Sequence, residues 1–171
     1  MIFLNSVKNK KGFSFLELII YIAIFATFLM VVVSIFSIIV SSSAKEEARA
    51  EVKQNLRFAL EKITDEIYAA NDVTQPIADG TSGNVLALTV NGAPVQFSVS
   101  GGILQKTMGT TTENITSNKV IIDVSSDIFK RIGNVNAKPT IQIILKISYN
   151  DKGRPYYKFS QTIQTTVSLR K

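Results

Sequence analysis

The polarity of the chain changes character twice along its length. From Phe13 to Ser43 there is one charge in 31 residues, Glu17. Within that stretch the 23 residues Leu18–Val40 carry no charge, and only Tyr21, Thr27, Ser34 and Ser37 bring polar atoms. At 1.5 Å per residue such a helix is roughly 34 Å long, enough to cross a hydrocarbon core of roughly 30 Å. From Ala44 to Val73 charges return, and apolar residues fall at Val52, Leu56, Ala59, Ile63, Ile67 and Ala70, in steps of 4, 3, 4, 4 and 3. That spacing predicts an amphipathic helix with one apolar stripe, ended by Asn71-Asp72 and Pro76. A helix continuous from Phe13 would cover about 58 residues, roughly 87 Å. Glu46–Arg49, Arg57–Glu61 and Lys62–Glu66 are spaced for ion pairs on its surface.

After Pro76 the period becomes 2. Val85–Val90 and Pro94–Val99 flank Asn91-Gly92, a hairpin signal because both turn residues tolerate positive φ. Gly101-Gly102 turns the chain into Ile103–Lys106, and residues 107–118 read as a polar loop. Lys119–Val124 and Ile128–Ile132 are shorter strand candidates. Ile141, Ile143, Leu145, Ile147 and Tyr149 alternate with polar residues up to the turn Asn150-Asp151-Lys152-Gly153. Tyr157, Phe159, Ile163, Val167 and Leu169 then share one face, opposite Lys158, Ser160, Thr162, Gln164, Thr166 and Arg170. The expected fold class is α+β: a long N-terminal helix packed on an antiparallel β-sheet head. The segments are 1–12, a basic leader; 13–43, a transmembrane helix; 44–73, an amphipathic stem; and 74–171, the head.

Composition narrows the chemistry. The 171 residues include no His and no Cys. A Ser-His-Asp triad, a cysteine nucleophile and an imidazole base are therefore excluded, as are thiolate and imidazole metal sites. Asp123 and Asp127 are too few and too widely spaced for a calcium loop. A carboxylate-only hydrolase or a Ser/Lys dyad would need converging partners, and no such spacing occurs. Neither an enzyme nor a cofactor is expected.

Residues 1–12, MIFLNSVKNKKG, carry Lys8, Lys10 and Lys11 and no acid. Lysines before the span and a mixed-sign flank after it put the N-terminus in the cytoplasm and export the bulk of the chain. A cleaved secretory signal would find small residues at Ser42-Ser43-Ala44, but 23 apolar residues exceed the usual h-region. A plain signal-anchor fits the length and leaves Glu17 unexplained, since a carboxylate near the edge of an apolar span carries an insertion cost.

The string Lys11-Gly12-Phe13-Ser14-Phe15-Leu16-Glu17-Leu18-Ile19-Ile20 resembles the class III signal of type IV pilins and type II secretion pseudopilins. In that family a basic leader ends in Gly, an aromatic residue follows, and a Glu stands four positions on, ahead of a long apolar helix. The resemblance implies cleavage by a prepilin peptidase between Gly12 and Phe13 and N-methylation of Phe13. It also implies an assembly role for Glu17, which would meet the N-terminal amine of a neighbouring subunit. The implied partners are the membrane, other pilin or pseudopilin subunits, the peptidase and an inner-membrane assembly platform. The segment LRFALEKITDEIYAA is similar to the stem of several minor pilins and pseudopilins. Many major pilins break the apolar span with Pro or Gly; here no Pro precedes Pro76 and no Gly lies between Gly12 and Gly80, which favours a minor subunit. Pilins often tie down their C-terminal region with a disulfide, which this chain cannot form. The runner-up from another class is a permanently anchored single-pass protein whose β-domain binds a ligand.

The formal charge of +6 divides unevenly. The leader holds +3, Glu17 −1, the stem −2 (5 basic, 7 acidic) and the head +6 (11 basic, 5 acidic). One head feature stands above background: Lys146, Tyr149, Lys152, Arg154, Tyr156, Tyr157 and Lys158 flank a single turn. It is a candidate DNA or partner contact, with solvated turn lysines as the plainer account. Asn114-Ile115-Thr116 matches a glycosylation sequon of low specificity.

Overall fold

The structure is a computed structural model that describes residues 12, 14–133 and 138–170. The chain divides into two units, Met1–Ser41 and Ser42–Lys171, and helix α1 (Phe15–Ala69) contributes to both.

In the first unit, residues 14–40 are exposed without exception. The mean hydropathy of the most apolar 18-residue window of α1 is 2.8, and the helix is long and apolar enough to cross a membrane by length and composition. Its hydroxyls are silenced within the helix. Thr27 donates to the Ile24 carbonyl at 2.7 Å, Ser34 to Met30 at 2.8 Å and Ser37 to Val33 at 3.0 Å, so none presents an unmet donor to an apolar medium.

In the second unit, α1 buries Ala44, Ala48, Val52, Leu56, Ala59, Ile63 and Ile67, the stripe expected from the sequence and extended by two alanines at its start. The helix ends at Ala69, not at Val73. Residues Ala70–Gln75 instead form strand β1, with Ala70 and Val73 turned inward. Helix and strand both bury Ala70 and Val73, and the β-branched Val73 and Thr74 with poor helix formers Asn71 and Asp72 tip the balance to strand. A register irregularity between Ala70 and Asp72 marks the changeover.

Two antiparallel five-stranded sheets replace the single meander expected. The first has the order β1-β3-β4-β5-β6, with β3 at Leu86–Val90, β4 at Ala93–Ser100, β5 at Ile103–Met108 and β6 at Thr111–Asn114. Asn91 (φ 50°) and Gly92 (φ 80°) make the tight β3–β4 turn, as both-positive φ values require. Residues 107–118 are therefore not a loop throughout. All four residues of β6 are exposed, so hydrophobic alternation carries no trace of it. Backbone pairing with β5 and the β-branched Thr111 and Thr112 account for it.

The second sheet has the order β10-β9-β8-β2, with β7 also on β9. Its members are β2 (Ser82–Gly83), β7 (Val120–Ile122), β8 (Phe129–Ile132), β9 (Thr140–Tyr149) and β10 (Ser160–Ser168). Strand β9 pairs with β10 along one edge, from Ser148↔Ser160 to Thr140↔Ser168, and shares its other edge between β7 and β8. A short 3-10 turn at Pro155–Tyr157 precedes β10. The Ile122 N–H of β7 donates to the Gly102 carbonyl in the β4–β5 turn at 2.9 Å and so links the two sheets.

Phe97, Phe129, Leu104, Ile143, Leu145 and Ile147 form one core with Ile63 and Ile67 of the helix. Each such side chain contributes about 1.5–3 kcal/mol on burial. Two ion pairs also tie α1 to the strands, Glu66 to Lys106 and Glu51 to Lys119. Of the expected surface pairs, Glu46–Arg49 forms at 2.9 Å. Glu66 takes Lys106 rather than Lys62, whose ammonium lies 5.4 Å from the centroid of the Phe58 ring.

Candidate functional site

Gly12 and Glu17, two of the residues singled out by sequence, flank the start of α1. Gly12 is exposed, and a Cβ built on it would meet nothing among the described residues within 4 Å. No packing within the fold therefore demands glycine there; the demand, if any, comes from a molecule that handles this segment. Phe13, the expected methylation site, lies outside the described residues. Leu18 N–H donates to the Ser14 carbonyl at 3.1 Å, which opens a bonded turn at Ser14.

Glu17 stands in that first turn, where a carboxylate is favoured by the unpaired N–H groups and the positive end of the helix dipole. Its Oε1 accepts a hydrogen bond from the Tyr21 hydroxyl at 3.2 Å. Sequence reasoning treated Tyr21 only as an interruption, although its i+4 spacing from Glu17 was legible. Around the pair the surface is apolar: Phe15 is 78% exposed, Leu16 68% and Leu18 50%. An exposed apolar surface of this extent needs cover from lipid or from protein. In either, a carboxylate held by one neutral hydroxyl has no cation among the described residues to offset its desolvation.

A family model described as the prokaryotic N-terminal methylation motif matches residues 7–30. The chain carries a prokaryotic N-terminal methylation motif. No curated protein matches the chain, and no solved structure matches it. The methylation motif takes in Gly12, Phe13, Glu17 and Tyr21 and stops within the apolar part of α1.

The head carries the second candidate, and the fold rearranges it. Lys146 points to Asp123, with Nζ 2.7 Å from Oδ2. That bond and those from Ser125 hold the Asp123 carboxyl well below the usual carboxylate range. Tyr149 and Tyr157 stack at 5.5 Å between centroids, and burial pushes the Tyr149 phenol up. The Arg154 guanidinium sits 4.5 Å from the Tyr157 centroid, and its Nε donates to the Asp151 carbonyl at 3.3 Å. The aromatic and cationic groups of the turn thus largely satisfy one another. Lys152, Tyr156 and Lys158 remain exposed.

An open groove of about 600 Å³ runs beside the second half of α1, lined by Glu51, Asn55, Phe58, Ile103, Asn114 and Ser117 among others. Of the sequon residues, Asn114 is exposed and Ile115 and Thr116 are buried. Asn114 Oδ1 accepts from Gln105 Nε2 at 2.9 Å, and the buried Thr116 hydroxyl accepts from Leu104 N–H at 3.0 Å. On the groove's rim the Glu51 carboxylate raises the Lys119 ammonium above its ordinary value.

Proposed function

We propose that this chain is a prepilin-type structural subunit without catalysis of its own. A prepilin peptidase at the cytoplasmic face removes residues 1–12 between Gly12 and Phe13 and methylates the new Phe13 amine. The helix 13–43 holds the chain in the inner membrane with its N-terminus cytoplasmic, and the stem 44–73 and head 74–171 lie outside. An inner-membrane platform then transfers the subunit into an extracytoplasmic filament, as a minor component of a type IV pilus or of a secretion or competence pseudopilus.

The observation that carries this is Glu17: a carboxylate on the first turn of a helix whose apolar part is exposed up to residue 40, inside the methylation motif. Lipid insertion alone makes that acid a cost. Pairing with the amine of a neighbouring subunit turns it into a register device, because the pair strengthens as water leaves. The absence of Pro and Gly from residues 13–75 leaves the helix no weak point at which to melt, and this supports a minor role over that of a long flexible filament's main subunit.

The test is Glu17→Ala in the producing cell. The variant is expected in the membrane, processed, and at least tenfold depleted from sheared filaments. Recovery in filaments at the wild-type level would remove the proposed role.

A further inference from the structure

Two of the strands that end a sheet in the second unit have an outer edge that no other strand pairs among the described residues. Strand β10 is the outer strand of one sheet and β6 the outer strand of the other. Exposed edges normally carry Lys, Pro or a bulge that prevents strand addition. The nine residues of β10, SQTIQTTVS, contain no charge and no Pro, and their pairing with β9 runs without a register shift. Strand β6, TTEN, also lacks Lys, Pro and a register shift.

Charge distinguishes the two edges. A groove of about 220 Å³ beside β10 is lined by Leu56, Leu60 and Ile163 with Lys53, Arg57 and Gln161. Lys53 and Arg57 form no ion pair among the described residues, and the buried Gln161 Oε1 has no hydrogen-bond partner among them. On β6, Glu113 likewise forms no ion pair among the described residues. Its register partner on β5 is Lys106, which bonds Glu66 of α1, so Glu113 belongs to the helix-facing side of its sheet. Gln161 and Ile163 line the groove with Leu56 and Leu60 and so belong to the helix-facing side of theirs. Of the two strand directions in which β6 can lie along the outer edge of β10, one keeps the helix-facing sides of the two sheets together. Joining β6 to β10 in that direction brings the unpaired acid to the side that holds the unpaired bases.

We infer that β10 receives the β6 edge of a second copy of this chain, with Glu113 of one copy set against Lys53 and Arg57 of the next. The contact is head-to-tail: each copy offers one edge and accepts at the other, so it propagates rather than closing on a pair. Its use in a filament rests on the subunit function proposed above; the contact itself does not.

The chain has no Cys, which permits a clean cross-linking test in the membranes of the producing cell. Paired strands bring Cα atoms to about 4.5–5.5 Å, within disulfide reach. One full-length copy carries Thr112→Cys, and a differently tagged copy carries Thr162→Cys, Gln164→Cys or Thr166→Cys in turn. The expected result is an oxidant-dependent heterodimer for one of the three pairings. Glu113→Lys should reduce its yield at least fivefold, and Lys53→Glu with Arg57→Glu in the accepting copy should restore it. Dimers formed by the β10 variants alone would show a two-fold contact and overturn the inference. So would the absence of any cross-link in chains whose mass shows a start at Phe13, an outcome that leaves the subunit function standing.

Discussion

Asn55 Oδ1 accepts a hydrogen bond from the Ser117 backbone N–H at 2.8 Å, while Asn55 Nδ2 donates to the Glu51 carbonyl at 2.9 Å. This one side chain ties the helix to the segment between β6 and β7, and it is one of two buried polar residues among those described. Truncation leaves a partly buried N–H without a partner, which costs about 1–3 kcal/mol. Asn55→Ala in detergent-solubilised full-length chain should therefore lower the urea midpoint by that equivalent. The neighbouring exposed Gln54→Ala should stay within about 0.5 kcal/mol of wild type. Equal effects from the two would show that the tie is not made.

The Asp123–Lys146 pair sets a pH dependence. Because Asp123 has its carboxyl held low in the folded chain, its contribution to stability is complete above the unfolded value of about 3.9. It falls away as the pH drops below that value toward the native one, since the unfolded chain takes up the proton first. Wild type should exceed Asp123→Asn in stability at pH 7, with the gap closing below about pH 4. Denaturation midpoints of both proteins from pH 7 to pH 2.5 give the comparison. A gap constant across that range would mean the carboxylate is not the source.

Self-satisfaction of the basic turn argues against nucleic acid. Stacking platforms need open aromatic faces, whereas Tyr157 is engaged by Tyr149 and Arg154, and Lys146 by Asp123. No retardation of single- or double-stranded DNA is expected at low salt. A shift that weakens steeply with added salt would restore the DNA contact.

Periodicity made most of the core legible before the structure. Val52, Leu56, Ile63 and Ile67 form the helix stripe, and Ile141, Ile143, Leu145 and Ile147 the inner face of β9, because one-sided burial imposes a period that apolar residues must follow. What stayed hidden lacks a buried face or depends on distant partners. Strand β6 is exposed along its whole length, and β2 is two residues held by β8. The switch to strand after Ala69 rests on pairing with β3, of which the β-branched Val73 and Thr74 give only a local hint. Glu66 chose Lys106, forty positions away in sequence, over Lys62 in the next turn. At the N-terminus the motif was legible in full, since it is written in consecutive residues. The Tyr21 hydroxyl bond to Glu17 was missed because the tyrosine was counted only for its hydropathy. The two open edges were out of reach of sequence, since they are properties of strand order.

The central claim is that a peptidase cuts after Gly12 and leaves a methylated helix start. Intact-mass and N-terminal peptide mass spectrometry of the membrane-fraction protein reads this directly. The predicted result is a mature chain beginning at N-methyl-Phe13, and an unprocessed chain in a Gly12→Val variant, at whose position a Cβ meets nothing among the described residues within 4 Å. An intact Met1 or a start at Lys45 in the wild-type protein would contradict it.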